Sequence, residues 1–310
     1  MATASLNSLC AVATPFFFLS DFEGKSLTCY PLDTLSDEDI EFSFHASGTP
    51  HASTLDKKPV DFETYKAKLD NVQEYIRCGE TYLLNLTQPT PIKCTETLHT
   101  IYQKANAPFK IRFKNKFVCF SPEKFIEIID DKIYTYPMKG TIDASLRDAE
   151  ATILGDEKEM AEHLMVVDLL RNDLGIVASN IRVEKFRYID RIKAGAKELL
   201  QVSSQISGQL ENTWPTRIEE ILRSLLPAGS ISGTPKKRTV EIIKEIEGYE
   251  RGYFTGVFGY FDGKNLYSAV SIRYIEQTSN GLVYKSGGGI TIDSDAKKEY
   301  EELIDKIYIP

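Results

Sequence analysis

Apolar residues recur along this chain with two periods, one typical of helices and one typical of strands. The clearest helical stripe consists of Phe62, Tyr65, Leu69, Val72 and Ile76, which fall on one face of a helix. Asp61 can cap the start of this helix, and Gly79 ends it. Similar patterns predict helices over residues 156–170, 216–226, 235–247 and 295–307. Thr234 suits the N-cap of the 235–247 helix, with Pro235 at its first position.

Short runs of β-branched and aromatic residues, separated by turn residues, predict strands. They cover residues 16–19, 111–120, 125–129, 132–136, 181–186, 198–210, 253–261, 267–275 and 281–284. Strands and helices interleave without a regular βαβ alternation, which favours an α+β fold with antiparallel sheets. We expect residues 1–60 to form a strand and turn region of the same fold, and residues 61–310 to form one catalytic domain.

The charge and cysteine content limit the possible partners. The net charge of −8 disfavours nucleic acid, because a duplex-binding protein shows a basic stripe and this chain shows none. An acidic surface also repels anions, so an anionic substrate would need local cations or a metal. No apolar run reaches the roughly 20 residues that cross a bilayer, and we expect no membrane partner. Five cysteines without a CxxC pair predict reduced thiols in a cytoplasmic protein.

Two predicted helices each carry a pair of carboxylates on one face. Glu159 and Glu162 lie on the first of them, and Glu299 and Glu302 repeat the same spacing on the last, followed by Lys306. Carboxylate pairs on two helices could hold Mg²⁺, which prefers hard oxygen ligands. The alternative for both pairs is a set of salt bridges on the protein surface.

Three further segments carry groups that could bind or react. Gly287, Gly288 and Gly289 follow a predicted strand, where backbone N–H groups could approach a ligand closely, although a flexible turn is the alternative. Lys139 lies at the end of a predicted strand, where burial would favour its neutral, nucleophilic form and exposure would let it reach solvent. On adjacent antiparallel strands, Glu123 and Lys139 could face one cavity as acid and nucleophile. Otherwise, Glu123 is an exposed turn residue.

Taken together and in order, these segments resemble the chorismate-utilising enzyme family. That family includes anthranilate synthase component I, isochorismate and salicylate synthases, and aminodeoxychorismate synthase component I. The matching stretches are 79–87 (GETYLLNLT), 121–123 (SPE), 137–141 (PMKGT), 161–173 (AEHLMVVDLLRND), 229–236 (GSISGTPK), 251–256 (RGYFTG), 271–273 (SIR) and 287–306. Each stretch is weak alone, but the family's order is kept from about residue 60 to the end of the chain.

The resemblance implies a fold of two packed antiparallel β-sheets with helices outside, and a Mg²⁺-dependent site for chorismate, a dianion. Glu162 and Glu302 match the family's metal ligands, and Glu159 and Glu299 match outer carboxylates that orient metal-bound water. The residues expected to bind substrate are Arg273, Lys306, Gly288, Gly289, Gly140, Thr141 and His163. Judged alone, His163 is more typical of a hydrogen-bonded structural residue.

Lys139 separates the branches of the family. Aminodeoxychorismate synthases typically carry Lys at this position, whereas anthranilate and isochorismate synthases typically carry Ala. The implied reaction is the Mg²⁺-dependent amination of chorismate at ring carbon 4 with ammonia. It gives 4-amino-4-deoxychorismate for 4-aminobenzoate and folate biosynthesis, with Lys139 as nucleophile and Glu123 as acid. Anthranilate or isochorismate synthesis, and a catalytically silent chorismate-binding subunit, are the alternatives.

The implied partners follow from this chemistry. They are chorismate, ammonia, a glutamine amidotransferase subunit that supplies the ammonia, and a downstream aminodeoxychorismate lyase. No Cys–His–Glu glutaminase constellation surrounds the five cysteines, so we expect the ammonia to come from a separate chain.

Overall fold

The computed structural model describes residues 5–46, 48, 55–194 and 197–310. Its helices are α1 (Leu6–Ala11), α2 (Phe62–Arg77), α3 (Leu98–Lys104), α4 (Ala149–Gly155), α5 (Glu157–Val177), α6 (Ile218–Leu225), α7 (Lys236–Glu247) and α8 (Ala296–Asp305). Its strands are β1 (Phe16–Ser20), β2 (Leu27–Pro31), β3 (Ile40–Ser43), β4 (Asp56–Lys57), β5 (Leu83–Lys93), β6 (Phe109–Phe113), β7 (Phe117–Ser121), β8 (Lys124–Ile129), β9 (Lys132–Thr135), β10 (Met138–Asp143), β11 (Ser179–Ala194), β12 (Lys197–Gln209), β13 (Gly233–Thr234), β14 (Val257–Phe261), β15 (Leu266–Val270), β16 (Tyr274–Thr278) and β17 (Gly281–Ile290).

The strands form two antiparallel sheets. The first has the order β10-β12-β9-β8-β15-β14-β1-β2, with β11 also paired to β12. The second has the order β13-β5-β17-β16-β7-β6-β3, with β4 also paired to β5. Side chains of both sheets share one apolar cluster, in which Phe17 and Phe258 of the first meet Phe117 and Tyr274 of the second. The expected α+β fold of two packed antiparallel sheets is therefore confirmed.

The first apolar run of the chain forms β1, which is covered by the other sheet on one face and by helix α6 on the other. β1 is buried along its whole length, because its two faces meet different neighbours. Phe17 and Leu19 join the cluster between the sheets, whereas Phe16 and Phe18 join a second cluster that includes Leu222 of α6. A strand that is covered on both faces is continuously apolar instead of alternating. The predicted strand over residues 16–19 is confirmed for this reason.

Helix boundaries test the capping predictions. Asp61 accepts a hydrogen bond from the backbone of Thr64 at the start of α2, as predicted. α5 continues past the predicted end at residue 170, because Leu174 packs into the core one turn further on. The prediction that Thr234 caps α7 is wrong. Thr234 lies in β13 opposite Leu83, and α7 begins at Lys236 without a side-chain cap.

The chain crosses between the two sheets at two neighbouring points. β7 in the second sheet leads to β8 in the first through Glu123, and β15 in the first leads to β16 in the second through Arg273. The predicted strand over 267–275 is therefore two strands in different sheets. Phe120 N donates to Arg273 O at 3.1 Å, and Val270 N donates to Glu123 O at 3.1 Å. These bonds hold the two crossings together at the boundary between the sheets.

Two other predicted strands also differ from the observed ones. Residues 111–120 span the hairpin of β6 and β7, and the strand predicted over 253–261 begins only at Val257, after a turn over residues 252–255. No disulfide joins the five cysteines, and burial raises the pKa of Cys10 to about 12, which keeps this thiol protonated. In the described ranges, no helix is long and apolar enough to cross a membrane.

A buried ion pair ties α7 to the second sheet. The Arg251 Nη2 atom lies 2.6 Å from Glu247 Oε1, and the two side chains are 2% and 0% exposed. Glu247 also accepts hydrogen bonds from the backbone N and the hydroxyl of Thr87 in β5. Arg251 donates in turn to the carbonyl oxygens of Asn85 and Ile231. Removing one charge from this arrangement leaves the other buried without compensation.

We therefore expect Glu247→Gln to lower the free energy of unfolding in urea by about 3–5 kcal/mol. The matched control is Asp70→Asn, which breaks the exposed i,i+4 pair with Lys66 and should cost less than about 1 kcal/mol. Equal, small losses for the two variants would show that the buried pair does not stabilise the fold.

Candidate active site

A cavity of about 170 Å³ lies where the two sheet crossings meet β10, β17 and α8. Seven of the predicted site residues line it, namely Glu123, Lys139, Arg273, Gly288, Gly289, Glu302 and Lys306. They come from both sheets and from a helix, so the fold assembles them from distant parts of the chain. Three of them, Lys139, Arg273 and Lys306, are cations of the kind that an anionic substrate would need.

The sequence predicted that the three glycines follow a strand. In the structure they lie inside β17. A side chain at Gly288 would begin 3.4 Å from Glu299 Oε2 and 3.7 Å from both Glu302 Oε1 and Lys306 Nζ. A side chain at Gly289 would begin 3.5 Å from Lys139 Nζ. The glycines therefore keep open the space between β17 and the charged groups around it.

Lys306 and Arg273 bring positive charge to the cavity from different parts of the fold. Lys306, the C-cap of α8, donates from Nζ to Gly287 O at 2.9 Å and pairs with Glu302 at 2.5 Å. Arg273 has a positive φ of 55°, which is rare for a residue with a side chain. Its Nε atom is buried and has no hydrogen-bond partner among the described residues. A buried donor is costly to leave unpaired, so this side chain is prepared for an anionic ligand.

Glu123 is held rigidly beside the cavity. Its backbone N donates to Ser121 Oγ at 3.1 Å, and its Oε1 atom accepts a hydrogen bond from Ser230 Oγ at 2.5 Å. Burial raises the pKa of the Glu123 carboxyl above that of an ordinary glutamic acid. Ser230 and the nearby cations oppose this rise in pKa without cancelling it. Glu123 is thus able to keep a proton to higher pH than a solvated carboxyl.

Lys139 enters the cavity from a β-bulge. The pairing of β10 with β12 shifts between Met138 and Thr141, and Gly140 takes a positive φ of 82°. Such a bulge redirects the side chain that it carries. The side chain of Lys139 is 24% exposed, and its Nζ atom lies 3.7 Å from Glu162 Oε2. It therefore lies in the site and does not extend into solvent.

Glu123 and Lys139 line one cavity, as predicted, but their strands are not adjacent. β8 follows Glu123 directly, and β9 and β12 separate it from β10 in the first sheet. The sequence suggested neighbouring strands because the two segments are close along the chain. The long β12 inserts between them, and the sheet crossing at Glu123 brings the carboxyl back to the cavity.

The four predicted metal-binding carboxylates lie on α5 and α8. Burial raises the pKa of Glu159, and the negative charge of Glu162 adds to this rise. Burial also raises the pKa of Glu299, with a further contribution from Glu302. Such crowding of carboxylates is relieved by a cation, and their oxygen atoms suit Mg²⁺. In the described ranges, no three potential ligands are gathered tightly enough to form a metal site alone.

Three predicted substrate-binding residues do not line the cavity. Thr141 is exposed, and Gly140 packs beside Glu159, where a Cβ atom would lie 3.3 Å from Oε2. His163 is fully buried, with Nε2 2.6 Å from Ser204 Oγ and its ring against Phe186. In this structure His163 therefore packs in the interior and does not line the cavity.

Ser230 and Lys285 also line the cavity, although the sequence did not single them out. Ser230 contacts Glu123, and Lys285 lines the cavity from β17 while pairing with Glu276 at 2.7 Å. A lysine in a buried strand just before three glycines was a usable signal for Lys285. Ser230 lay in a matching stretch, but nothing local indicated its contact with Glu123.

Comparison with known proteins assigns the chain to a family. A family model described as a chorismate binding enzyme matches residues 24–309. The chain belongs to the chorismate binding enzyme family. It is 49% identical to an uncharacterized PabA-like protein of Haemophilus influenzae, over 96% of this chain and 92% of that protein. It is 32% identical to aminodeoxychorismate synthase component 1 of Escherichia coli, over 79% of this chain and 56% of that protein.

A solved structure supports the same placement. The crystal structure of anthranilate synthase component I from Streptococcus pneumoniae has a TM-score of 0.68 and 28% identity, and the match covers 83% of this chain and 60% of that one. The resemblance seen in the sequence is therefore confirmed at the level of the family. The chain is a chorismate-utilising enzyme, and its cavity contains the cations that a dianionic substrate requires.

The buried state of His163 predicts a pH dependence of stability. Burial, with a smaller contribution from the charge of Arg187, lowers the pKa of His163 to about 4. Between pH ~6.5 and ~4 the unfolded chain binds the extra proton and the folded chain does not, so stability falls as the pH falls through this window. The loss amounts to about 3 kcal/mol. His163→Gln, which cannot titrate, should lose correspondingly less stability between pH 7 and pH 4.

Urea unfolding of both proteins at these two pH values measures the effect. An equal loss of unfolding free energy in the wild type and in His163→Gln would contradict a buried, neutral histidine.

Proposed function

We propose that this chain catalyses the Mg²⁺-dependent amination of chorismate at ring carbon 4, using ammonia, to give 4-amino-4-deoxychorismate. The observation that carries this proposal is the presence in one cavity of a lysine, Lys139, and a buried carboxyl of raised pKa, Glu123. A nucleophile beside an acid suits the replacement of a hydroxyl group, which is otherwise a poor leaving group. The product would enter 4-aminobenzoate and folate biosynthesis.

Substrate binding would use the cations of the cavity. Arg273 presents a planar guanidinium, which can bind a carboxylate through two parallel hydrogen bonds. Lys306 adds a second positive charge from α8. The absence of side chains at Gly288 and Gly289 leaves room for the substrate between these cations and Lys139. Local charge would thus overcome the repulsion that a net charge of −8 exerts on a dianion.

Glu162 and Glu302 would hold the Mg²⁺ ion, and Glu159 and Glu299 would orient its water ligands. Mg²⁺ is commonly bound through one or two carboxylates, with substrate oxygens and water completing the shell. Two protein ligands are therefore sufficient, even though the described residues gather no larger group. When bound, the ion would supply positive charge next to a substrate carboxylate.

The reaction would proceed in two displacements. The free amine of Lys139 attacks carbon 2 while the bond between carbon 4 and its hydroxyl breaks, and Glu123 protonates the hydroxyl so that it leaves as water. The new secondary ammonium returns its proton to Glu123. Ammonia then attacks carbon 4, the bond between carbon 2 and Lys139 breaks, and the lysine leaves with a proton from the incoming nitrogen. The two displacements retain the configuration at carbon 4.

Ammonia would come from a separate glutamine amidotransferase subunit, and an aminodeoxychorismate lyase would convert the product further. A cytoplasmic location is consistent with five cysteines that form no disulfide. Purified chain, chorismate and Mg²⁺ can be supplied with ammonium or with glutamine to separate the two nitrogen sources. Turnover with ammonium alone supports the proposed partner.

Lys139→Ala tests the reaction. Formation of 4-amino-4-deoxychorismate from chorismate, Mg²⁺ and ammonium should fall by more than about 100-fold, because the covalent route is lost. The control is Lys132→Ala, which removes an exposed lysine of β9 outside the cavity and should leave the rate unchanged. Product analysis by chromatography distinguishes 4-amino-4-deoxychorismate from anthranilate and isochorismate. A wild-type rate in Lys139→Ala, or anthranilate or isochorismate as the main wild-type product, would contradict the proposal.

Glu302→Gln tests the metal site. Loss of one carboxylate charge should weaken Mg²⁺ binding by at least about 10-fold, since even partners outside the coordination shell contribute 10-fold or more. Glu301→Gln changes the neighbouring exposed residue of α8 in the same way and should bind Mg²⁺ like the wild type. Calorimetric titration with MgCl₂ in the presence of chorismate measures both affinities. Equal affinities in the two variants would remove Glu302 from the site.

A further inference from the structure

The hydroxyl of Ser230 makes a single hydrogen bond in the described part of the chain. Ser230 lies in a one-turn 3₁₀ helix, Gly229–Ile231, between α6 and β13. Its Oγ atom donates to Glu123 Oε1 at 2.5 Å, across 107 residues of sequence. The contact therefore depends on the folded chain and joins the turn to the crossing between the sheets.

The turn that carries Ser230 is fixed from several sides. Arg251 donates to Ile231 O at 3.1 Å, Asn85 N donates to Ser232 O at 2.9 Å, and Ser232 Oγ donates to Ala228 O at 2.8 Å. Gly229 packs closely against Asp173. A Cβ atom at position 229 would lie 2.8 Å from Asp173 Oδ2, so this position has no room for a side chain. The Ser230 hydroxyl is therefore held in a defined position relative to Glu123.

A serine hydroxyl has one proton to donate. If the proton of Glu123 were on Oε1 and pointed at Ser230, the hydroxyl proton would have no acceptor among the described residues. When Ser230 donates to Oε1, both protons have a place, and the proton of Glu123 is favoured on Oε2. The arrangement thus selects one of the two carboxyl oxygens as the acidic one.

We propose that Ser230 is a positioning residue that keeps the transferable proton of Glu123 on Oε2. This inference rests on the proposed role of Glu123 as the acid that protonates the departing hydroxyl. It adds a residue that acts through its hydrogen bond to the carboxyl of Glu123. Ser230 also stabilises the ionised carboxylate, because the hydrogen bond that it donates lowers the pKa of Glu123.

The test is the pH profile of kcat for amination with ammonium at saturating chorismate and Mg²⁺. Ser230→Ala should lower kcat by about 10-fold, the upper size of effect expected from the loss of one hydrogen bond, with little change in KM. The alkaline limb of its profile should move to higher pH, because a Glu123 without its donor loses its proton less readily. Ser230→Cys, which keeps the volume but donates weakly, should behave like Ser230→Ala. Ser230→Thr restores the hydroxyl and should restore the wild-type profile.

Ser232→Ala is the matched control, because it removes a hydroxyl from the same turn that bonds to Ala228 O and not to Glu123. Its alkaline limb should stay at the wild-type pH. An alkaline limb that does not move in Ser230→Ala or Ser230→Cys, or that moves equally in Ser232→Ala, overturns the inference. Glu123→Gln separates this failure from that of the proposed function. Normal turnover in Glu123→Gln overturns the acid role itself, whereas an inactive Glu123→Gln beside an unaffected Ser230→Ala overturns only the role of Ser230.

Discussion

The site depends on the two hydrogen-bonded crossings between the sheets. The bonds from Phe120 N to Arg273 O and from Val270 N to Glu123 O join two short segments, each of which carries one of these side chains between the sheets. An acid and a guanidinium whose Nε atom has no hydrogen-bond partner among the described residues are thereby brought to one boundary, where neither strand ladder would have placed them alone. β17 and α8 then close the cavity from the side of the second sheet. A change that separated the crossings would remove the acid and the anion-binding group together.

Some charged groups around the cavity are paired with each other, and others are placed to bind a ligand of opposite charge. Glu302 and Glu162 are each engaged by lysines, whereas the partially buried Glu159 and Glu299 carry a raised pKa that reflects burial and a neighbouring carboxylate. A bound cation would reduce the repulsion between the carboxylates, and a bound anion would give Arg273 Nε a hydrogen-bond acceptor. This explains how an acidic protein can bind a dianion, since the local field and not the net charge decides binding at a site.

The sequence was sufficient where the structure is local. The α2 stripe, its Asp61 cap, the buried β1 and the carboxylate spacing on α5 and α8 all follow from periodicity and are present. It was insufficient where position depends on pairing between distant strands. β12 inserts between β9 and β10, the glycines of β17 pair with β5, and Ser230 reaches Glu123 across 107 residues. His163 follows Glu162 directly in the chain, but consecutive residues of a helix point to different faces, and its ring turns towards Ser204.

The central claim is that Lys139 bonds covalently to the substrate. Intact-protein mass spectrometry of the wild type, incubated with chorismate and Mg²⁺ but without ammonium, tests it most directly. The account predicts a gain in mass equal to chorismate minus water, located by peptide analysis at Lys139 and lost when ammonium is added. Steady production of 4-amino-4-deoxychorismate with ammonium, together with an unmodified Lys139 in its absence under the same conditions, would contradict the account.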